Sequence, residues 1–374
     1  MIASTTLKRS LTLAAMLSMA GVWSVAASAQ TKLTYAAFTP PGYSVNASGI
    51  TELAKILETK SNGALKFEMF FGGSLGPGKA ALSQVKDGLV DSAFINPLYI
   101  PTDMPYGALL GDLMNANTLV TAAAENETAL LGCAECVQEL AKNDVKPLAY
   151  YSSAGFSLMC TKPIATLADV KGLKIRTAGP WTELIAKMGG VPVNMEGTAL
   201  YEGMLHGQLD CTILGVALMV PWKLDEVTKG MLEPDLGVFH GITMFNMKIA
   251  TWNKLKAEHR KLIIDEMAPL VVRIIRHEID EEARVLKLVR DKGIRINKMA
   301  PDMQKVADDF FASDVKRVLD KAQKSNLRNA DQILDTHARN LAKWQKIVAD
   351  INGDLDKYQE ALHREIFSKL SAGS

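Results

Sequence analysis

Early in the chain, hydrophobic positions alternate with polar ones in short runs, and between these runs they recur at helical spacing. Leu33, Tyr35 and Ala37 share one face of a predicted strand. Ile50, Leu53, Ala54 and Leu57 then follow the period of an amphipathic helix, which Ser61-Asn62-Gly63 terminates. Leu65, Phe67, Met69 and Phe71 alternate as a second strand, residues 79–86 predict a helix ending at Gly88, and residues 92–95 a short buried strand. This β-α-β-α-β order implies a mostly parallel sheet wrapped by helices.

The same order returns after Tyr151, with a strand at 173–177, a helix at 180–188 closed by Gly189-Gly190, a strand at 191–194 and a helix at 199–205. The two units are punctuated alike. Gly88-Leu89-Val90-Asp91 and Gly207-Gln208-Leu209-Asp210 each place a glycine where a left-handed cap ends a helix and an aspartate where a buried strand opens. Two such motifs at matching places argue for paired lobes. From Leu255 onward the pattern is helical. Leu262, Ile263, Met267, Leu270, Ile274 and Ile275 form an apolar stripe with Pro269 as a kink, and further helices are expected at 301–324, 330–351 and 355–370, the last two parted by Asn352-Gly353. The heptad-like stretches among them are read as intramolecular packing.

At the N-terminus, Lys8 and Arg9 precede an apolar run over 11–25, and Ala27-Ser28-Ala29 supplies small residues for cleavage. This predicts a signal peptide cut after Ala29 and an exported, periplasmic chain, because the run is shorter than the roughly 18 residues of a membrane span. Gln30, not a cysteine, would follow the cut, so no lipid anchor is indicated. Lys plus Arg is 42 against 41 for Asp plus Glu, which leaves no net field to steer the protein onto nucleic acid or an anionic membrane. No later segment reads as a span, so direct membrane insertion is not expected. Cys133 and Cys136 form a C-x-x-C that a redox pair, a structural bridge or two packing thiols would each explain; Cys160 and Cys211 stay unassigned.

Two motifs imitate chemistry they cannot perform. Gly73 to Lys79 fits G-x-x-x-x-G-K, but Ala80 lacks the hydroxyl that would hold magnesium, so the segment reads as a tight strand-to-helix turn. His277-Glu278 begins an H-E-x-x pattern that closes on Glu281 instead of a second histidine; His277 is read as a residue on a polar helix face. No G-x-S-x-G elbow occurs, and no cofactor, metal or catalytic set is indicated. Arg176 differs in kind, because it ends the predicted strand at 173–177 just before Ala178-Gly179-Pro180 and a helix. Open α/β sheets bind ligands beyond the carboxyl ends of their strands, and a guanidinium there can grip a carboxylate with two parallel bonds. On position alone, a surface salt bridge stays an open alternative.

From Leu33 to about Ile264 the chain resembles the solute receptors of tripartite ATP-independent periplasmic (TRAP) transporters, the DctP-type family. The matching runs are Phe70-Phe71-Gly72-Gly73-Ser74-Leu75-Gly76, Lys86 to Asp91, Lys162-Pro163-Ile164, Ala168 to Arg176 and Trp252-Asn253-Lys254-Leu255. The resemblance implies a two-lobed α/β periplasmic binding protein with mixed β-sheets, crossing strands, a long interdomain helix and a C-terminal helical extension. Expected boundaries are a signal peptide at 1–29, the first part of lobe I at 30–150, the first part of lobe II at 151–240, a return to lobe I with the long helix at 241–290, and lobe II completion with C-terminal helices at 291–374.

The resemblance also implies a receptor, not an enzyme, that closes on a small organic acid and delivers it to a TRAP-type permease. It makes Arg176 the carboxylate clamp and places Asn96, Tyr99, Trp181 and Phe38 at the pocket. Two departures bear on the ligand. Many relatives carry a second arginine shortly before the Lys-Pro-Ile run, whereas Phe156 to Thr161 offers none; sugar-acid binders often carry G-Q-E-N where this chain has Asp210-Cys211-Thr212-Ile213-Leu214. Phe156 and Leu214 are therefore candidate apolar wall residues, which favours a branched, aromatic or 2-oxo monocarboxylate. The alternatives are an exported enzyme on the same fold and a receptor for another class of transporter.

Overall fold

The computed structural model describes residues 30–370, so the signal-peptide reading of 1–29 lies outside the described residues. The alternating runs become β1 (Thr31–Ala36), β2 (Leu65–Phe70) and β3 (Ser92–Ala93), a parallel sheet in the order β2-β1-β3 that buries Leu33 and Tyr35 completely. β4 (Val145–Tyr151) then carries the chain to the second lobe. There β5 (Phe156–Cys160), β6 (Lys174–Arg176), β7 (Val191–Val193), β8 (Cys211–Gly215) and β9 (Gly230–Leu232) assemble before β10 (Ile242–Lys248) returns to pair antiparallel with β4. β11 (Arg295–Asn297) completes a six-stranded sheet in the order β11-β9-β5-β8-β6-β7, with β5 running antiparallel to β8 and β9. In the first lobe the Asn246 side chain joins the β4–β10 pair to the parallel sheet. Its amide donates to the Ala93 carbonyl (2.7 Å) and accepts from the Ala93 N–H (3.3 Å), replacing a ladder rung.

The repeated G-x-x-D motif has one structural job in both lobes. Gly88 (φ 77°) and Gly207 (φ 70°) take the left-handed caps their sequence predicts. Asp91 then accepts the Thr34 N–H (2.9 Å) and donates its own N–H to the Thr34 carbonyl (3.2 Å); Asp210 repeats both bonds with Lys174 (2.7 and 2.8 Å). Each aspartate thus clips the incoming strand to the first strand of its own β-α-β unit.

The apolar stripe after Leu255 divides between a helix at Ala257–Asp265 and a long helix at Met267–Asp291. The break at Glu266 follows from Pro269, which has no N–H to offer the Asp265 carbonyl one turn earlier. The single helix expected at 301–324 is two, Pro301–Ala312 and Asp314–Lys324, broken at Ser313. The redirection lets Asp314 accept the Met114 N–H (2.7 Å) and lets Arg317 reach Asp112 (2.9 Å), contacts that no local pattern specifies. The helix Ala330–Ile351 packs along Thr118–Glu127, so its heptad-like face is filled within the chain, and Trp344 donates to Glu127 (2.7 Å). Asn352 (φ 50°) and Gly353 (φ 81°) end it as expected.

All four cysteines are paired. Cys133 bonds Cys136 at the start of the helix Ala134–Ala141, and Cys160 bonds Cys211, its directly facing partner in the β5–β8 register. His277 is half-buried, with Nδ1 3.2 Å from the Ser44 hydroxyl, which corrects its reading as a residue of a polar face. The long helix turns inward at this point because it crosses both lobes, and its next residue, Glu278, is fully enclosed.

Candidate functional site

Strand direction decides what meets between the lobes. The carboxyl ends of β1, β3, β6 and β8 point into the cleft, and antiparallel β5 brings its first residue, Phe156, beside Gly215 at the end of β8. Phe38, Asn96, Tyr99, Phe156, Arg176, Trp181 and Leu214, the seven residues singled out from sequence, all line one cavity. Its free volume is about 60 Å³.

Arg176 is 4% exposed. Nε donates to the Met195 carbonyl (3.0 Å) and Nη2 to the Tyr99 hydroxyl (3.1 Å), a contact from the second lobe to the first. No carboxylate among the described residues pairs with it, and only two of its five N–H groups are used within the protein. Gly179 helps close this seam, because a Cβ there would lie 2.6 Å from Leu98 Cδ1 of the opposite lobe. Asn96 is 3% exposed and turns its side-chain oxygen to the Leu98 N–H (3.0 Å), which caps the short turn Pro97–Tyr99.

Aromatic rings form the walls. Phe156 stacks on Trp181 (centroids 4.5 Å) and on Phe239 (5.8 Å), while Phe38 contacts Phe94 (5.6 Å) and Tyr99 (5.5 Å) across the cavity. Trp181 is fixed by its indole N–H, which donates to the Leu236 carbonyl at 2.7 Å. Beneath the walls, the two crossovers are laced together: the Ser153 N–H donates to the Phe239 carbonyl (2.8 Å), the Phe239 N–H to the Ser153 hydroxyl (2.9 Å) and the Phe156 N–H to the Gly237 carbonyl (2.8 Å). The long helix braces this hinge, with Glu278 accepting the Ala154 N–H (3.0 Å) and Glu282 the Gly155 N–H (2.9 Å). Burial pushes the Glu278 carboxyl up to about 7, offset in part by the Ala154 N–H it accepts and by the neighbouring Ser44 and Tyr151 hydroxyls.

Sequence reasoning missed Tyr43, Tyr151, Trp222 and Phe239, which also line the cavity, and Glu278 under it. The Tyr43 and Tyr151 hydroxyls contact each other, one from the segment after β1 and the other from the end of β4. Only Trp222 carried a signal, a lone tryptophan beyond the second G-x-x-D strand. The described residues contain no group of three or more His, Cys, Asp or Glu placed to hold a metal ion.

Two α/β lobes, joined by paired crossovers and closing over a cavity that holds an unpaired guanidinium, define the class of bilobal solute-binding proteins. Residues 37–322 match the family model DctP, bacterial extracellular solute-binding protein, family 7, and the chain belongs to that family. A solute-binding protein of Albidiferax ferrireducens is 25% identical over 222 residues, 58% of this chain and 64% of that protein's length. Among solved structures, a TRAP solute binding protein from a marine metagenome, specific for aromatic acid ligands and in complex with 3-hydroxybenzoate, superimposes with a TM-score of 0.75 at 23% identity, covering 85% of this chain and 99% of that one. A TRAP solute binding protein from Rhodoferax ferrireducens with copurified benzoate gives 0.74 at 22% identity, covering 85% and 100%. At these identities the likeness establishes the two-lobed fold.

Proposed function

We propose that this chain is an exported, periplasmic receptor for a small monocarboxylate with an apolar, ring-bearing body, which it hands to a TRAP-type membrane permease. The observation that carries the reading is Arg176, a guanidinium 4% exposed and without an acidic partner, set between two groups of aromatic rings. Enclosing an unpaired charge costs several kcal/mol, and an incoming carboxylate offsets that cost with charge-assisted bonds. The single arginine supplies one such clamp, and the aromatic walls suit a flat apolar body. The aromatic acids bound to the two structural relatives support this choice.

A closed cavity of about 60 Å³ is smaller than the roughly 150 Å³ that accepts benzene, so a ring enters only as the lobes part. Ligand then favours the closed state through contacts with both lobes, and the closed surface docks on the permease. No helix among the described residues is long and apolar enough to cross a membrane, so the membrane step belongs to the partner. The cavity offers a clamp without a nucleophile and base in contact, which favours a receptor over an enzyme on the same scaffold.

Calorimetry with benzoate and a panel of organic acids tests the reading. Arg176→Ala strands the carboxylate and should weaken binding by roughly 100-fold or more. Arg176→Lys keeps the charge but loses the fork, giving a smaller yet substantial loss. Undiminished affinity in the alanine variant, succinate or a uronate bound more tightly than every monocarboxylate, or turnover of a bound acid overturns it.

A further inference from the structure

Two tryptophans line the cavity, and their indole N–H groups are treated differently. Trp181 Nε1 donates to the Leu236 carbonyl at 2.7 Å, whereas Trp222 Nε1 is buried with no acceptor. An indole N–H can only donate, and buried donors in native proteins are nearly always paired. The ring itself is closely seated. A Cβ on Gly197 would fall 1.5 Å from Trp222 Cη2 and 2.0 Å from Cζ3, so only glycine leaves room for it. Trp222 also lines an outer groove with Pro40, Gly72, Thr198 and Tyr201, so the indole stands as a partition between the cavity and solvent, fixed in place and short of one acceptor.

The remaining demand at the Arg176 end does not reach this donor's need. One carboxylate is matched by the unused N–H groups of Arg176 and by the Asn96 amide, whose oxygen is already committed to Leu98. We infer that Trp222 is a specificity-determining residue whose indole N–H receives a second acceptor oxygen of the ligand, so that the preferred acids carry a hydroxyl, ether or keto oxygen on the body away from the carboxylate. This rests on the proposed function and narrows its ligand class. The Gly197 cradle holds the donor against the wall, and the ligand oxygen completes it when the lobes close.

The test uses matched acids that differ in one acceptor, 3-methoxybenzoate against 3-ethylbenzoate and 4-methoxybenzoate against 4-ethylbenzoate, titrated calorimetrically into wild type and Trp222→Phe. In at least one pair the wild type should prefer the methoxy acid by about tenfold, the value of one well-made hydrogen bond, and the variant should bring the ratio to within about twofold. In ¹⁵N–¹H spectra of the wild type, the Trp222 indole proton should move downfield with the preferred methoxy acid and not with its ethyl counterpart, a readout that does not depend on the variant folding. Wild-type binding of both acids without preference, a preference that persists in Trp222→Phe, or an indole proton indifferent to the acceptor overturns this inference and leaves the receptor reading standing. A wild type that binds no aromatic monocarboxylate overturns both.

Discussion

Replacing Glu278 with glutamine should make the protein more stable in a strongly pH-dependent way. The carboxyl is fully enclosed under the hinge, where burial raises it from an ordinary 4.5 to about 7. Because the folded value lies above the unfolded one, the stability that the neutral carboxyl contributes is fully present below about pH 4.5 and is lost as pH rises through 7. At 1.36 kcal/mol per tenfold in proton affinity, the cost of carrying this group is about 3 kcal/mol at pH 8 and about 1 kcal/mol at pH 5. Glutamine mimics the neutral acid: its oxygen can still accept the Ala154 N–H, and its amide can donate to a neighbouring hydroxyl. The variant-minus-wild-type stability, measured by urea denaturation of ligand-free protein, should therefore be about 2 kcal/mol more favourable at pH 8 than at pH 5. In melting temperature the same change is roughly 3 °C for a chain of this size. Other buried groups, including Glu139, which burial also raises to about 7, titrate in both proteins and cancel in the difference. An equal gap at the two pH values would show that Glu278 titrates like an exposed carboxylate and would refute the reasoning.

The remaining predictions concern what ties distant segments together. The Cys160–Cys211 bond closes a loop with a sequence separation of 51, so Cys160→Ala with Cys211→Ala should cost about 4 kcal/mol by loop-closure entropy, read as a urea midpoint lower than that of the oxidised wild type. Arg317 joins Asp112 (2.9 Å) and Asp314 (2.6 Å) and lies over the Phe310 ring (5.1 Å). Arg317→Ala leaves those carboxylates under-paired in a largely enclosed place and should destabilise the chain by about 3 kcal/mol; a loss below about 1 kcal/mol would mean that solvent already screens the cluster.

How much of the site was legible follows from how each residue reaches it. Arg176 was legible from its place at the carboxyl end of a strand, whose direction a parallel sheet fixes once the alternation is read, and the resemblance to the family added Phe38, Asn96, Tyr99 and Trp181, which stand at or just beyond such ends. Phe156 and Leu214 emerged because this chain places apolar residues where related receptors carry polar ones. Tyr43, Tyr151 and Phe239 could not be found this way, since they lie on the segment after β1 and on crossovers whose sequence has no period. Glu278 sat inside a failed metal motif, and its burial depends on a helix that crosses both lobes.

By itself the sequence determined the strands and helices of the two β-α-β units, the paired G-x-x-D caps, the place of Arg176 at the end of a strand and the likeness to the family, because each of these is written in spacing along a few turns or one strand. Tertiary structure decided that Cys160 faces Cys211, that the helix expected at 301–324 breaks at Ser313 to bring Asp314 and Arg317 to the first lobe, and that one tryptophan N–H is paired while another is not. Those outcomes depend on which surfaces meet after the chain has crossed twice between lobes, and the energy of a buried charge or donor is set by neighbours that lie far away in sequence.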